Sequence, residues 1–239
     1  MRKRLRLSQR QQRIVAVVEA LGWASGSQLA FLDGADPGQR NYYTEEYLPQ
    51  LVRRGKLWTR DWGREHVYRL PSYGTGRNPN IEHALAAGWV AARLVRAAGI
   101  SPDLIVPRRT FVENGGGQIP DAAVILPAAN GRHLFLVENQ SARESERTTG
   151  DKVDGYKACS ERLRQDFGVT SVWVLFILDV PRQSAEVIAR RQGDGWTLFF
   201  FCDHETFLAQ DWRTIWQAPI FFDGRGQGAC SLVAAEAQT

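Results

Sequence analysis

The first 70 residues have the pattern of three helices followed by a β-hairpin, and this order limits the fold more than any other feature. A helix over residues 9–21 carries apolar side chains at helical spacing, with Ser8 as its N-cap. A second, shorter helix is predicted over residues 24–31, capped by Ser25 or Ser27. Both helices present apolar side chains that a core can bury.

A third helix begins at Asp36, a suitable N-cap, and at Pro37, because proline is favoured at the first helical position. It is predicted to run to Arg54 and to end at Gly55. Pro49 lies inside it and removes one backbone hydrogen bond. We therefore expect a kink at Pro49.

Two strands follow the third helix, over residues 57–60 and 66–70, with a turn at residues 61–65. Three helices and a hairpin, in this order, are typical of a winged helix-turn-helix. Such a domain places its third helix in the major groove of DNA and its hairpin along a phosphate backbone. The sequence therefore predicts a domain over residues 1–72 that binds double-stranded DNA. The alternative is a winged helix that mediates only protein contacts.

The residues expected to contact DNA are basic or can form hydrogen bonds with bases. Arginine and asparagine pair with guanine and adenine edges through two hydrogen bonds, and a basic arm can reach an adjacent minor groove. In chain order they are Arg2, Lys3, Arg4 and Arg6 in the arm, Gln39, Arg40, Asn41 and Tyr42 in helix three, and Arg60 and Arg64 in the hairpin.

Charge is distributed unevenly along the chain, which favours a polyanion-binding module at the N-terminus. Residues 1–80 hold 14 basic and 7 acidic side chains, whereas residues 81–239 hold 16 and 19. The net charge of +4 is therefore +7 in the first segment and −3 in the second. Neutralisation of phosphates supplies most non-specific DNA affinity, so the excess at the N-terminus agrees with the predicted DNA-binding domain.

A second domain is predicted over residues 81–226, after a linker at residues 73–80 that is rich in glycine, proline and asparagine. Residues 227–239 are expected to form a flexible tail. The predicted helices cover residues 81–98, 151–167 and 185–192, and the predicted strands cover residues 104–112 (broken at Pro107), 122–126, 133–138, 172–178 and 197–202. Helices and strands mixed in this way predict an α/β (α+β) domain with a mixed sheet flanked by helices.

One group of side chains in this domain is suited to chemistry. Asp121 begins one strand of a predicted hairpin and Glu138 ends the other, so the two carboxylates should meet. With the carbonyl of Asn139 they would offer the hard oxygen ligands that Mg²⁺ prefers, and Glu82 would add another carboxylate. A metal ion there would activate water for phosphodiester hydrolysis. In the simpler interpretation, the carboxylates pair with surface arginines, Arg143 or Arg147.

Pro120-Asp121, the hairpin and Glu138-x-Gln140 together resemble the PD-(D/E)XK nuclease fold. From about residue 9 to 223 the arrangement also resembles the replication-relaxation family of plasmids and other mobile elements, which joins an N-terminal winged helix to a nuclease-like domain. The resemblance implies that Asp121, Glu138, Gln140 and Lys152 are the candidate catalytic residues.

Gln140 departs from the nuclease pattern, because a lysine would stand at this position. That lysine positions the attacking water or stabilises charge on the phosphate, and a neutral amide serves the second role poorly. Two alternatives keep an enzyme possible. Some relatives of the fold use glutamine here, or Lys152, one of only four lysines in the chain, reaches the site from the next helix.

Several other features narrow the class of protein. The three cysteines, Cys159, Cys202 and Cys230, are widely spaced and form neither a disulfide framework nor a zinc site. This is consistent with a reducing cytoplasm. No apolar stretch approaches the roughly 20 residues of a membrane helix, and the basic start lacks the apolar segment of a signal peptide. The aromatic C-terminal region is suited to a homodimer interface.

These observations lead to one preferred function and two alternatives. The preferred one is a DNA-binding protein of a mobile element that regulates replication, transfer or transcription, with a nuclease-like domain that does not cut. The second is a Mg²⁺-dependent endodeoxyribonuclease targeted by the winged helix. The third is a protein–protein adaptor without salt-dependent affinity for DNA.

Overall fold

A computed structural model describes residues 7–73, 81–99, 101–113, 118–140, 144–178, 181–192, 197–203, 216–218 and 228–230. The chain forms two compact units, Met1–Arg108 and Arg109–Thr239. The predicted linker at residues 73–80 is therefore not the boundary between the units. No described helix is both long enough and apolar enough to cross a bilayer.

The described part of the N-terminal unit contains helices of 3 to 17 residues and one small sheet. Its helices are α1 (Gln9–Leu21), α2 (Gly26–Leu32), α3 (Arg40–Tyr42), α4 (Leu48–Arg53) and α5 (Ile81–Ala97), and its strands are β1 (Ala24–Ser25), β2 (Trp58–Trp62) and β3 (Glu65–Arg69). Single 3₁₀ turns cover Pro37–Gln39, Pro71–Tyr73 and Pro102–Leu104.

Two capping boxes fix where the first helices begin. Ser8 accepts a hydrogen bond from the Gln11 N–H, and the Gln11 side chain accepts one from the Ser8 N–H. Ser25 and Gln28 repeat this arrangement at the start of α2. Each box satisfies backbone donors that the first turn of a helix leaves without partners. The predicted cap at Ser8 is confirmed, and of the two candidates for α2 it is Ser25 that caps the helix.

The third predicted helix is one helical span of changing pitch. It passes from a 3₁₀ turn through α3 into a π-helical turn at Tyr43–Tyr47 and then into α4. In the π turn the N–H of Leu48 donates to the carbonyl of Tyr43, five residues earlier. Pro49 follows directly, and its ring crowds the preceding turn while its nitrogen donates nothing. The chain thus widens its turn before the proline, where the sequence predicted a kink.

The small sheet has the strand order β1-β3-β2, and all its pairs are antiparallel. The predicted five-residue turn between β2 and β3 is shorter in the structure, because the strands continue to Trp62 and from Glu65. Gly63 occupies the turn with φ +60°, a conformation that glycine adopts without strain. The pairing leaves β2 at the open edge of the sheet.

Helix α5 packs within the N-terminal unit, which explains the position of the boundary between the units. The Gln28 side-chain amide donates to the Leu85 carbonyl at 2.6 Å. The ring of Trp89 lies edge-on to Phe31 with 5.7 Å between centroids. Ile81 joins a buried apolar cluster with Trp23 and Val67. The prediction that α5 begins the second domain is therefore corrected, since α5 buries its apolar side chains on α2 and the small sheet.

Within the described residues, the C-terminal unit contains a six-stranded mixed sheet in the order β4-β5-β6-β7-β8-β9. Its helices are α6 (Arg108–Glu113), which begins at the boundary, α7 (Glu146–Phe167) and α8 (Pro181–Gln192). Its strands are β4 (Ala122–Ala128), β5 (Gly131–Gln140), β6 (Ser171–Leu178), β7 (Thr197–Asp203), β8 (Trp216–Ala218) and β9 (Gly228–Cys230). The pairs β5–β6 and β6–β7 are parallel and the others are antiparallel, so a mixed α/β fold is confirmed.

Three predictions about this unit require correction. The strand predicted at residues 104–112 is a 3₁₀ turn followed by α6, since Pro107 cannot donate to a β-ladder. Phe111 is the side chain that α6 buries, against Phe167. Helix α7 begins at Glu146, five residues before its predicted start, because Ser145 caps it. The predicted tail contains β9, while residues 231–239 lie outside the described residues.

Parallel strands and two packed helices form the centre of this unit. The residues of β6 from Val174 to Leu178 are all buried, as expected of a strand covered on both faces. Helices α7 and α8 pack against each other, and both contact the sheet. Strand β5 lies between antiparallel β4 and parallel β6, and its last three residues extend past the start of β4 and pair with β6. That end carries Glu138, Asn139 and Gln140.

Candidate functional site

The β4–β5 hairpin brings Asp121 and Glu138 together, as the sequence predicted. Ala122 pairs with Val137, and the Asp121 N–H donates to the Val137 carbonyl at 3.0 Å. One carboxylate oxygen of Asp121 accepts the N–H of Asn139 at 3.0 Å. Asp121 is therefore fixed beside the end of β5, close enough for its charge to act on Glu138.

Both oxygens of the Glu138 carboxylate have partners on α7. The Tyr156 hydroxyl donates to Oε1, and Lys152 Nζ lies 2.9 Å from Oε2. Lys152 and Tyr156 are four residues apart on one helix face, so both side chains can reach the same group. Only 2% of Glu138 is exposed. The carboxylate is thus a buried group held by one cation and one hydroxyl.

Lys152 also contacts a second carboxylate, Glu144, which precedes α7. Its Nζ lies 2.9 Å from Glu144 Oε2, the same distance as from Glu138 Oε2. About a sixth of the Lys152 side chain is exposed, 16%. The ammonium therefore bridges two carboxylates while largely withdrawn from water.

The ionisation of these groups follows from burial and from their neighbours. Burial and the nearby charge of Asp121 raise the pKa of Glu138, against the opposite influence of Lys152 and Tyr156. Burial opposes the charge on Lys152, but Glu138 and Glu144 outweigh it and raise its pKa to about 12. Burial and Glu138 raise the pKa of Tyr156 well above its ordinary value. Lys152 is consequently protonated at neutral pH and cannot accept a proton from water.

Gln140 lies on the same face of β5 as Glu138, since side chains alternate along a strand. Its amide nitrogen donates to the hydroxyl of Thr149, one turn of α7 before Lys152. Its amide oxygen is buried and finds no hydrogen-bond partner among the described residues. The predicted catalytic residues Glu138, Gln140 and Lys152 are therefore brought together on one face, with Asp121 at the hairpin end.

The predicted metal ligands are only partly assembled. The alternation along β5 directs the Asn139 side chain to the other face, while its N–H bonds Asp121. Glu82 is exposed on α5 and belongs to the N-terminal unit, not to the unit that holds the two carboxylates. Among the described residues, no three histidine, cysteine or acidic side chains are grouped as metal ligands.

The arrangement does not fit a Mg²⁺ ion bound through Glu138. Mg²⁺ would need a carboxylate oxygen at about 2.1 Å, but Tyr156 holds Oε1 and the ammonium of Lys152 holds Oε2. A second cation at Oε2 would lie against Lys152. We therefore derive no metal-dependent step for this geometry. The predicted arginine partners do not hold the carboxylates either: the ion pair of Arg147 is with Asp151, and Arg143 lies outside the described residues.

The residues predicted to read DNA bases form an exposed run where the third helical span begins. Gln39, Arg40, Asn41 and Tyr42 are all exposed, and 52% of Tyr42 is accessible. Tyr43, the next residue, is buried and anchors this run to the core. The four side chains therefore present amide, guanidinium and phenol groups to the surroundings of the N-terminal unit. The basic arm with Arg2, Lys3, Arg4 and Arg6 lies outside the described residues.

The hairpin presents arginine beside tryptophan. Arg60 and Arg64 are exposed, and the Arg60 guanidinium lies over the Trp62 ring, 5.5 Å from its centroid. Arg69 stacks on Trp58 and Trp23 at 4.4 and 5.2 Å. Such cation–π contacts hold a guanidinium in place without neutralising it.

Several residues of these two sites were not predicted from the sequence, among them Tyr156, which donates to Glu138. Glu144 contacts Lys152 and Thr149 contacts Gln140, while the ring of Trp58 on the hairpin packs on the guanidinium of the buried Arg69. The signal for the hairpin was the alternation of Trp58, Arg60 and Trp62 on one face of a strand. Thr149 could have been found from its spacing of three residues from Lys152 on the same helix. Glu144 lies before that helix, so no sequence pattern pointed to it.

Comparison with known proteins yields no relative of this chain: no protein-family model, no curated protein and no solved structure matches it.

Proposed function

We propose that this chain is a double-stranded DNA-binding protein whose N-terminal unit is a winged helix. The observation that carries the proposal is the order α1, β1, α2, third helical span, β2, β3, with the strands paired β1-β3-β2. In a winged helix this arrangement presents the third helix to the major groove and the hairpin to the phosphates.

The exposed side chains support the same proposal. Arg40 and Asn41 have the donors and acceptors that pair with guanine and adenine edges. Arg60 and Arg64 lie on the hairpin, where phosphate contacts would position the domain without reading sequence. The start of the third helical span would supply sequence specificity. The hairpin would supply affinity that falls as the salt concentration rises.

We propose further that the C-terminal unit is a PD-(D/E)XK-like domain that does not cut DNA and instead contributes contact or dimerisation. Its antiparallel β4–β5 hairpin, followed by α7 and parallel β6, supports this, as do Asp121 and Glu138 at the ends of the hairpin. Gln140 stands where such a nuclease has lysine, and its amide is engaged with Thr149. A regulator of replication, transfer or transcription in a mobile element, acting in the cytoplasm, would have these properties.

The DNA-binding proposal is tested with single-residue variants of the full chain on labelled duplexes selected for binding. Asn41→Ala and Arg40→Ala should each lower affinity for the selected duplex by about five- to a hundredfold, as expected for loss of a bidentate base contact. Affinity for random duplex should change little in Asn41→Ala. Arg132→Ala, an exposed arginine on the β4–β5 hairpin, is the matched control and should leave both affinities unchanged. Equal binding by all variants would contradict the proposed recognition surface.

A Mg²⁺-dependent endodeoxyribonuclease remains the second candidate, because Lys152 reaches Glu138 from α7 as a displaced catalytic lysine would. That function requires Lys152 to release Glu138. The test is incubation of supercoiled plasmid with Mg²⁺ or Mn²⁺. We expect no nicking; metal-dependent nicking that disappears in Glu138→Ala would establish the enzyme.

A further inference from the structure

The ammonium of Lys152 lies where two carboxylates converge, 2.9 Å from an oxygen of Glu138 and 2.9 Å from an oxygen of Glu144. We propose that Lys152 is the resident cation of this site and takes the place of a divalent metal ion. It follows that the wild-type chain does not bind a divalent cation through Glu138. It also follows that a neutral residue at position 152 creates a divalent-cation site there.

The geometry around Glu138 gives the first argument. Its two oxygens are both engaged, Oε1 by the Tyr156 hydroxyl and Oε2 by the ammonium. A divalent ion can coordinate Oε2 only by displacing Lys152 from a largely buried position. Two cations sharing one oxygen would repel each other strongly where water is scarce. The lysine therefore excludes the metal by charge and by space.

The side chains that would remain without Lys152 give the second argument. Glu138 and Glu144 each present an oxygen toward the vacated position, and Asp121 stands close to Glu138. On the same face of β5, Gln140 has a buried amide oxygen without a partner among the described residues. Carboxylate and amide oxygens are the ligands that Mg²⁺ and Mn²⁺ take. Removing one positive charge thus leaves oxygen ligands that lack a cation.

This inference deepens the proposed function, since it rests on the proposal that the C-terminal unit does not cut and supplies a physical reason. It does not depend on DNA binding by the N-terminal unit. Metal binding is measured in the absence of DNA, so a failed gel shift and a failed metal titration identify different errors.

The experiment is a Mn²⁺ titration of the full chain, in which binding is monitored by calorimetry and by the electron paramagnetic resonance signal of free Mn²⁺. Lys152→Met should bind one Mn²⁺ at least about tenfold more tightly than wild type, because a positive charge next to the ligand oxygens is removed. The added site should disappear in Lys152→Met/Glu138→Gln. Lys152→Arg retains the charge and should behave as wild type.

Lys157→Met is the matched control, because Lys157 lies on the same helix but is exposed and donates to the Arg191 carbonyl. It should gain no site. The proposal is overturned if wild type binds Mn²⁺ and Glu138→Gln abolishes that binding, a comparison that stands even where Lys152→Met fails to fold. Equal binding by folded Lys152→Met and wild type would overturn it as well.

Discussion

Lys152 determines the charge balance of the site at the end of β5, because its ammonium lies between the carboxylates of Glu138 and Glu144. Glu138 is almost fully buried, and an isolated charge there would be strongly unfavourable. Replacing one member of a buried ion pair leaves the charge of the other member uncompensated. Replacing both members leaves no uncompensated charge. Replacements of Glu138 and Lys152 should therefore be strongly coupled in their effects on the free energy of unfolding.

A double-mutant cycle measures this coupling. Glu138→Gln and Lys152→Met should each lower the free energy of unfolding by about 2–4 kcal/mol, with the double variant losing less than the sum of the two. Urea unfolding of the full chain, monitored by circular dichroism, provides the values. Strict additivity would mean that the two groups do not form an interacting pair.

The pH dependence of stability provides a second test of Lys152. Its pKa is raised from 10.5 to about 12, so the folded state holds this proton more tightly than the unfolded state. The corresponding stabilisation, about 2 kcal/mol, is complete below pH 10.5 and is lost as the pH rises toward 12.

Comparison of wild type with Lys152→Met isolates this contribution, since the buried tyrosines titrate in both proteins. The difference in unfolding free energy should shrink as the pH rises from 10.5 toward 12. A difference that stays constant up to pH 12 would contradict the proposed pairing of the ammonium with Glu138 and Glu144.

At the scale of elements, the two capping boxes differ in how deeply they are buried. Ser25 and Gln28 are buried, and the Gln28 amide also donates to the Leu85 carbonyl of α5. Ser8 is exposed at the start of α1. A capping hydrogen bond contributes about 1 kcal/mol, and a buried polar group that loses its partner adds a further cost.

Ser25→Ala should therefore destabilise the protein by about 2 kcal/mol, and Ser8→Ala by about 1 kcal/mol or less. Both replacements remove one hydroxyl from the same type of motif, so each serves as the control for the other. Chemical denaturation gives both values. A larger loss of unfolding free energy in Ser8→Ala than in Ser25→Ala would contradict the expected contribution of burial at the Ser25–Gln28 cap.

The elements that the sequence predicted correctly carry local signals. Ser8, Gly22 and the spacing of apolar residues define α1, and a tight turn at Ala129 and Asn130 defines the β4–β5 hairpin. Packing against residues distant in sequence contributes to the elements that the sequence did not predict. Tyr43, at which the π turn before Pro49 begins, is buried, and Phe111 of α6 packs against Phe167, which is distant in sequence.

The candidate site shows the same division. The meeting of Asp121 and Glu138 could be predicted, since a short hairpin brings its ends together. Sequence could also single out Lys152, because lysine is rare in this chain. It could not show that the ammonium bridges Glu138 and Glu144, because that geometry depends on how α7 packs on β5.

At the scale of the whole molecule, the division into two units sharpens the charge asymmetry. Residues 1–108 carry 17 basic and 9 acidic side chains, a balance of +8, and residues 109–239 carry 13 and 17, a balance of −4. The sequence placed the boundary at the linker of residues 73–80, because composition does not reveal that α5 packs on α2. The asymmetry supports a polyanion partner for the N-terminal unit.

The measurement that tests the central proposal most directly is the salt dependence of duplex binding, by fluorescence anisotropy, for wild type and for Arg60→Ala/Arg64→Ala. Wild-type affinity should fall steeply as salt rises, and the slope of log affinity against log salt should decrease by about 2 in the double variant, which would lose the two proposed phosphate contacts. Absence of binding by wild type at the lowest salt, or identical slopes for the two proteins, would contradict DNA binding through this hairpin.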